Sequence, residues 1–466
     1  MDSIKIILDA LLRKIPVYFK MGALLFLMLV LLIPVNMIDN MIGERRYRQA
    51  EVAGEISEIW GREQSLFGPV LILPYRETVE IRHNDGSSSL QPNEGRVFLM
   101  PESLKIAARI DPEIRYRGIF ETIVYRGDIA FEGSFRRPDF EELGIAGAEI
   151  IWNRAILALS VSDLRGTQGD LRMEAGNYEA GFTPGTTSDV LGGGVSAVAG
   201  GALPRGLSDK TDLKFSFSLD IAGSERILFT PAAKETTVTL NSPWRHPRFE
   251  GAWLPEKRTI GSQGFEARWS VSWYGRDLPQ QWLEGSSAAV RLDSRIRDTR
   301  FGVSLITPVD FYLKSERSVK YAILFVLLIF ATVFILEVAV PVRVHLIQYA
   351  LVGFAKTMFY LLLLALSEVV GFGSGFLVAA LVSTAMIAFY LGYSARSRVL
   401  GIQVTAVLAG IYGFLYVVLQ LEDYALLVGA LGLVAALAAV MYATRNIDWY
   451  RLGPSANGGK EESAET

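Results

Sequence analysis

Apolar residues in this chain gather into six runs, and a polar stretch of about 280 residues separates the first run from the other five. A helix needs roughly 20 apolar residues to cross about 30 Å of hydrocarbon. The pattern predicts such helices over Met21–Ile38, Tyr321–Val342, Leu346–Val370, Gly375–Tyr393, Val399–Leu421 and Tyr424–Thr444. A secretory signal peptide is the rival reading of the first run, because bases precede it. Its exit, Ile33-Pro34-Val35-Asn36-Met37-Ile38, has no small-x-small cleavage site, and an uncleaved anchor is expected. Ahead of it, Ile4, Ile7, Leu8, Leu11 and Ile15 recur at helical spacing opposite Lys5 and Lys14, the pattern of a short helix lying on a leaflet; a tail without structure is the alternative.

The polar stretch changes period as it goes. From Asp39 to about Gln64, Ile42, Val52, Ile56 and Ile59 keep near-helical spacing among many charges, which predicts a stalk helix continuing from the first span. Beyond Gly68-Pro69 the period becomes two. Val70–Leu73, Arg96–Met100, Asp128–Phe135, Lys214–Leu219, Thr236–Leu240 and Phe265–Trp273 read as strands separated by Gly, Pro and Asp turns. Together they predict a large β-rich domain, antiparallel and sandwich-like. The glycine-rich segment 183–208, with Gly192-Gly193-Gly194 and Gly200-Gly201, reads as a loop or lobe boundary. It lacks the Lys-Ser/Thr pair of a phosphate-binding loop.

Charge sets the expected direction of the spans. Lys5, Arg13, Lys14 and Lys20 precede the first, Arg343 follows the second, Arg396 and Arg398 separate the fourth and fifth, and Arg445 and Arg451 follow the sixth. The opposite ends carry Glu368 or Glu422-Asp423. If all six segments cross, every short basic connection falls on one side, as the positive-inside rule requires. Tyr312, Tyr321, Tyr393, Tyr424, Tyr442 and Trp449 then lie at or near the interfaces that amphipathic rings favour. The expected layout is a cytoplasmic segment 1–20, an anchor 21–38, a periplasmic β-rich domain with an N-terminal stalk 39–318, a five-helix bundle 319–444 and a cytoplasmic tail 445–466.

Composition narrows the chemistry. A net charge of −3 and a pI near 5.9 describe no basic field for nucleic acid. The chain has no cysteine, which excludes disulfides, thiol catalysis and cysteine-bound metals, and three histidines, His83, His246 and His345, make a poor metal set. No Gly-x-Ser-x-Gly, His-Glu-x-x-His, phosphate-loop or dinucleotide motif occurs. No cofactor or catalytic residue is expected, and His246 reads as structural. Charged residues inside spans are costly and are the candidates for function. Glu337 near the inner end of the second span and Lys356 in the inner half of the third are expected to pair, neutralising both, while Glu368 is placed to reach water at the outer surface.

The chain resembles the CreD family of inner-membrane proteins over nearly its whole length. The resemblance rests on Leu32-Ile33-Pro34, Trp60-Gly61, Gly68-Pro69-Val70-Leu71, Arg117-Gly118-Ile119-Phe120-Glu121 and the Pro247-x-Phe249-x-Gly251-x-x-Leu254-Pro255 segment. Near the membrane it rests on Pro308-Val309-Asp310, Gln348-Tyr349, Ser367-Glu368, Tyr412-Gly413, Glu422-Asp423-Tyr424 and Asp448-Trp449-Tyr450. Val369 stands where the family commonly has histidine, which counts against an essential Glu-His couple at Glu368. The resemblance implies a multi-pass inner-membrane protein with a large periplasmic domain, associated with envelope integrity and stress response, and it brings no known reaction or ligand. The leading expectation is a non-enzymatic envelope factor whose partners are the lipid bilayer and a periplasmic protein, peptidoglycan fragment or lipid. A transporter or flippase using the bundle, and an enzyme acting on envelope polymers, are the alternatives.

Overall fold

The structure is a computed structural model that describes residues 17–82, 88–204, 206–207, 212–307, 311–339, 344–421 and 424–445. The amphipathic segment expected at residues 4–15, the acidic turn at 422–423, Arg343 and the tail beyond 445 lie outside them. The helices are α1 (Val17–Trp60), α2 (Leu292–Asp298), α3 (Phe311–Lys320), α4 (Ala322–Ala339), α5 (Leu346–Val370), α6 (Phe372–Ser394), α7 (Arg398–Gln420) and α8 (Ala425–Thr444). The chain forms two compact units, Met1–Arg48 with Val309–Thr466, and Gln49–Pro308.

In the helical unit, α1, α5, α6, α7 and α8 are each long and apolar enough to cross a bilayer. The expected second span is broken. α3 and α4 meet at 49°, and the pair counts as a sixth span only if the two are taken together. The bend follows from composition, because α3 carries Lys314, Glu316, Arg317 and Lys320 on one face while Tyr312, Ser315, Ser318 and Val319 are buried. α4, by contrast, is apolar on every face until Glu337 in its last turn. Local signals set several ends. Ser397 Oγ caps α7 by accepting from Leu400 N, and His345 with Gln348 makes a capping box at the start of α5.

α1 buries Leu24, Leu31, Val35, Ile38 and Ile42, a stripe on one face of the helix. Leu31 fills the space beside Gly353 of α5, where a Cβ would stand 2.3 Å from Leu31 Cδ1. A side chain at 353 would force Leu31 to move. α1 is also the expected stalk, since it runs unbroken through Pro34 and on to Trp60; pyrrolidine is tolerated in apolar helices whose freed backbone groups find other partners.

The β unit is two sheets. The larger has ten strands among the described residues, centred on Gln64–Arg82, which pairs with Ser88–Leu99, Ile156–Val161 and Arg226–Phe229. The other runs in the order Lys257–Gly261, Gly264–Ser272, Glu235–Ser242, Ser103–Arg117, Phe120–Phe135, Leu213–Ser224, Arg172–Ala175 and Tyr178–Gly181. Most pairings are antiparallel, as expected, but Gln64–Leu66 runs parallel to Ile227–Phe229, and Ser103–Arg109 parallel to Glu235–Asn241. Alternation sorts the faces. Phe215, Phe217 and Leu219 are buried while Lys214, Ser218 and Asp220 are exposed, and Phe217 stacks on Phe131, its cross-strand partner, at 4.7 Å.

The glycine-rich segment is not simply a loop. Gly194–Val198 is a largely buried strand paired with Ile156–Val161. Gly194 permits it, because a Cβ there would lie 2.1 Å from Leu159 O. Glycine frequency signals close backbone approach as readily as a turn.

At the C-terminal end of α1, within the β unit, Trp60 donates to Tyr125 O at 3.2 Å and lies between the guanidinium groups of Arg115 and Arg126, 4.8 and 5.2 Å from its ring. Asp163 accepts from Arg62 N at 3.1 Å and from Arg165, whose Nη1 also donates to Glu58 O. Burial alone would push the Asp163 carboxyl up, but the bonds from Arg165 and Arg62 outweigh it and hold the group below the usual carboxylate range. Arg276, buried, donates to Pro231 O and Gln280 Oε1 with no carboxylate bonded to it among the described residues, and burial pushes its guanidinium down to about 10.

Candidate functional site in the helical unit

Helical geometry separates the three charged candidates. They occupy three different places along the bundle. α5 rises 1.5 Å per residue, so Tyr349 lies about 10 Å before Lys356 along the helix and Glu368 about 18 Å after it.

Glu337 is taken by Lys20, which corrects the expected Glu337–Lys356 pair. Lys20 Nζ lies 2.5 Å from Glu337 Oε1, 2.6 Å from Oε2 and 2.8 Å from Val344 O. Tyr349 donates to Oε2 at 2.8 Å, and Val344 N to Oε1 at 3.1 Å. The carboxylate is 14 % exposed and the lysine 20 %. A mostly buried pair is tolerable when its remaining lone pairs are also satisfied, and these are. Lys20 was legible only as a base ahead of a span. That it returns to α4 and α5 depends on how α1 packs, which one sequence does not state.

Lys356 is 0 % exposed, and among the described residues its Nζ has no hydrogen-bond partner. Aromatic rings surround it instead. Its Nζ lies 3.8 Å from the ring centre of Tyr412, 4.6 Å from Phe359, 5.4 Å from Tyr360 and 5.5 Å from Phe325. Tyr412 is held by a hydroxyl relay, donating to Ser383 Oγ at 2.9 Å, which in turn donates to Ala355 O at 3.4 Å. Contacts between a lysine head and ring faces are favourable when desolvated, yet they supply no acceptor for its protons.

Glu368, expected to reach water, is 12 % exposed on its side chain and is engaged. Tyr312 Oη donates to its Oε1 at 3.0 Å, and Arg45 Nε lies 3.6 Å from the same atom. α3 is tied down further by Arg46 to Glu316 at 2.6 Å, Lys314 to Gln420 Oε1 at 2.9 Å and Arg317 to Leu421 O at 3.1 Å. The last two bases sit at the C-terminal end of α7, where cations complement the helix dipole. α3 thus crosses the ends of α5 and α7, with Tyr312 on the same buried face as Ser315 and Ser318 and the bases Lys314 and Arg317 on the other.

Among the described residues no group of three or more His, Cys, Asp or Glu is arranged to hold a metal ion.

Two comparisons bear on identity. The family model described as "Inner membrane protein CreD" matches residues 16–450. The inner membrane protein CreD of Escherichia coli (strain K12) is 32 % identical over 454 residues, covering 97 % of this chain and 98 % of that protein. With both matches running from the first helix to beyond the last, the chain belongs to the CreD family of inner membrane proteins.

Proposed function

We propose that this chain supports cell-envelope integrity under stress, holding its β-rich unit in the periplasm and both termini in the cytoplasm. The unit would bind a periplasmic protein, a peptidoglycan fragment or a lipid without catalysing a reaction on it. The observation that carries this reading is the outer face of the eight-stranded sheet. Three concavities of about 190, 450 and 680 Å³ open along it, lined by strands of that sheet and the loop around Gln168. Lys105, Arg109, Asp111, Arg126, Asp128 and Glu132 alternate outward there, and such a broad polar face suits a polar or charged partner.

The ends of the helical unit support the orientation. Lys20, Glu337 and Val344 are bonded to one another, and Gln348 bonds Ser394, beside Arg396 and Arg398. This end therefore gathers the bases of the short connections, the mark of a cytoplasmic side. Bases at the other end, Arg45, Arg46 and Lys320, face Glu316 and Glu368. They also flank a long insert, whose translocation is largely indifferent to charge.

The test is photo-crosslinking in intact cells with a photoreactive residue at Lys105, Asp128 or Thr239, compared with Ile59 on the stalk. A discrete adduct from the sheet positions, absent from the stalk position, supports the reading. Equal or no adducts at all four positions end it.

A further inference from the structure

The buried side-chain atoms of the helical unit that lack a hydrogen-bond partner are not scattered. Among the described residues they are Ser315 and Ser318 Oγ on α3, and Lys356 Nζ, Tyr360 Oη and Ser367 Oγ on α5, with Asp39 Oδ1 the exception. On α5 the three stand at i, i+4 and i+11, a single face of the helix. The bond from Tyr312 to Glu368 joins α3 to α5 at one end of this line. Ser315 follows Tyr312 by one turn, and Ser367 directly precedes Glu368. The line spans about 16 Å of α5 from Ser367 to Lys356, with buried Leu363 between Tyr360 and Ser367 on the same face.

Its chemistry leans towards donors. An ammonium group has only protons to donate, and each of the four hydroxyls has one to give besides the lone pairs with which it can accept. Among the described residues of this unit Glu337 is engaged by Lys20 and Tyr349, Glu368 by Tyr312 and Arg45, and Glu316 by Arg46 and Lys320, while Asp39 on α1 keeps one unpartnered oxygen. A cation in hydrocarbon without a counter-charge is costly, and intramembrane lysines pair with an anion where they act. In the other direction the line is closed, because Leu31 and Phe330 pack against Gly353, one turn before Lys356.

We propose that Lys356 and Tyr360 form an intramembrane binding site for a phosphate-type oxyanion, approached past Ser367, Ser315 and Ser318 beneath α3. The anion would be free phosphate or the phosphate of an anionic lipid headgroup. Either presents acceptor oxygens to a point charge and a hydroxyl, and the rings of Phe359 and Phe325 would flank it. This site is independent of the β unit and of what that unit binds.

The test uses the full-length protein in a neutral detergent. Thermal unfolding is followed against inorganic phosphate, and separately against mixed micelles containing phosphatidylglycerol or, as control, phosphatidylcholine. One of the first two is expected to raise the unfolding temperature. A response to inorganic phosphate assigns a free anion; a response to phosphatidylglycerol alone assigns a headgroup. Lys356→Met should raise the half-saturating concentration about tenfold or more, the loss of one charge-assisted bond. Tyr360→Phe and Ser367→Ala should each raise it severalfold, and they carry the test if Lys356→Met does not fold. The proposal is overturned if neither probe exceeds phosphatidylcholine, or if the variants respond as the unaltered protein does.

Discussion

Exchanging charges distinguishes the partners of Glu337. Lys20→Glu or Glu337→Lys alone leaves a mostly buried charge unpaired and should cost about 3 kcal/mol or more. The double exchange should recover most of that loss in thermal or denaturant unfolding of the purified protein. Combining Glu337→Lys with Lys356→Glu should recover none. Lys356 itself should behave differently. Lys356→Met keeps the stem among the rings and removes an amine with no hydrogen-bond partner among the described residues, so without added anion its stability should equal or exceed that of the unaltered chain. At Asp163 the sign of the pH dependence follows from its lowered pKa. The carboxylate stabilises the fold above its unfolded value near pH 4, and that contribution is lost as pH falls through the still lower folded value. The stability difference between the unaltered chain and Asp163→Asn should therefore be full at pH 7 and shrink below about pH 4. Convergence on the alkaline side instead would refute the assignment.

Elements follow periodicity wherever one face is buried. The expected Leu346–Val370 span matches α5, the alternating run Asp128–Phe135 falls within strand Phe120–Phe135, and the run Phe265–Trp273 matches strand Gly264–Ser272 except for Trp273, which opens a 3-10 turn. Periodicity fails at α3, where a ten-residue amphipathic helix precedes an apolar one and only tertiary contacts decide the angle between them. It fails again at Gly194–Val198, whose glycines look like a turn until the neighbouring backbone is seen. Helix packing is testable at Gly353. Gly353→Leu would put a large side chain where Leu31 already lies, so overpacking should destabilise the protein by about 1–3 kcal/mol. A second change, Leu31→Ala, should return part of the loss. If Gly353→Leu is neutral in thermal unfolding, α1 does not pack on α5 as described.

For the whole molecule, absence of cysteine makes the topology directly measurable. A membrane-impermeant maleimide should label Lys257→Cys in spheroplasts but Arg396→Cys only after permeabilisation. The reverse result would place the β unit in the cytosol and remove the proposed function with it. Six apolar runs, the bases around them and the alternating polar middle were determined by the sequence alone. Desolvating a charge or leaving a backbone unpaired in hydrocarbon is so costly that a local run of residues answers for itself. Which charge meets which was decided only by tertiary structure. Lys20 and Glu337 are 317 positions apart, and nothing between them states that α1 returns to α4. Lys356, the expected partner, is separated from Glu337 by depth along α5, and its isolation became visible only once four rings were seen to enclose it. Periodicity reports which side of an element is buried; a pairing also needs the distance between elements, and that is set by packing across the whole bundle.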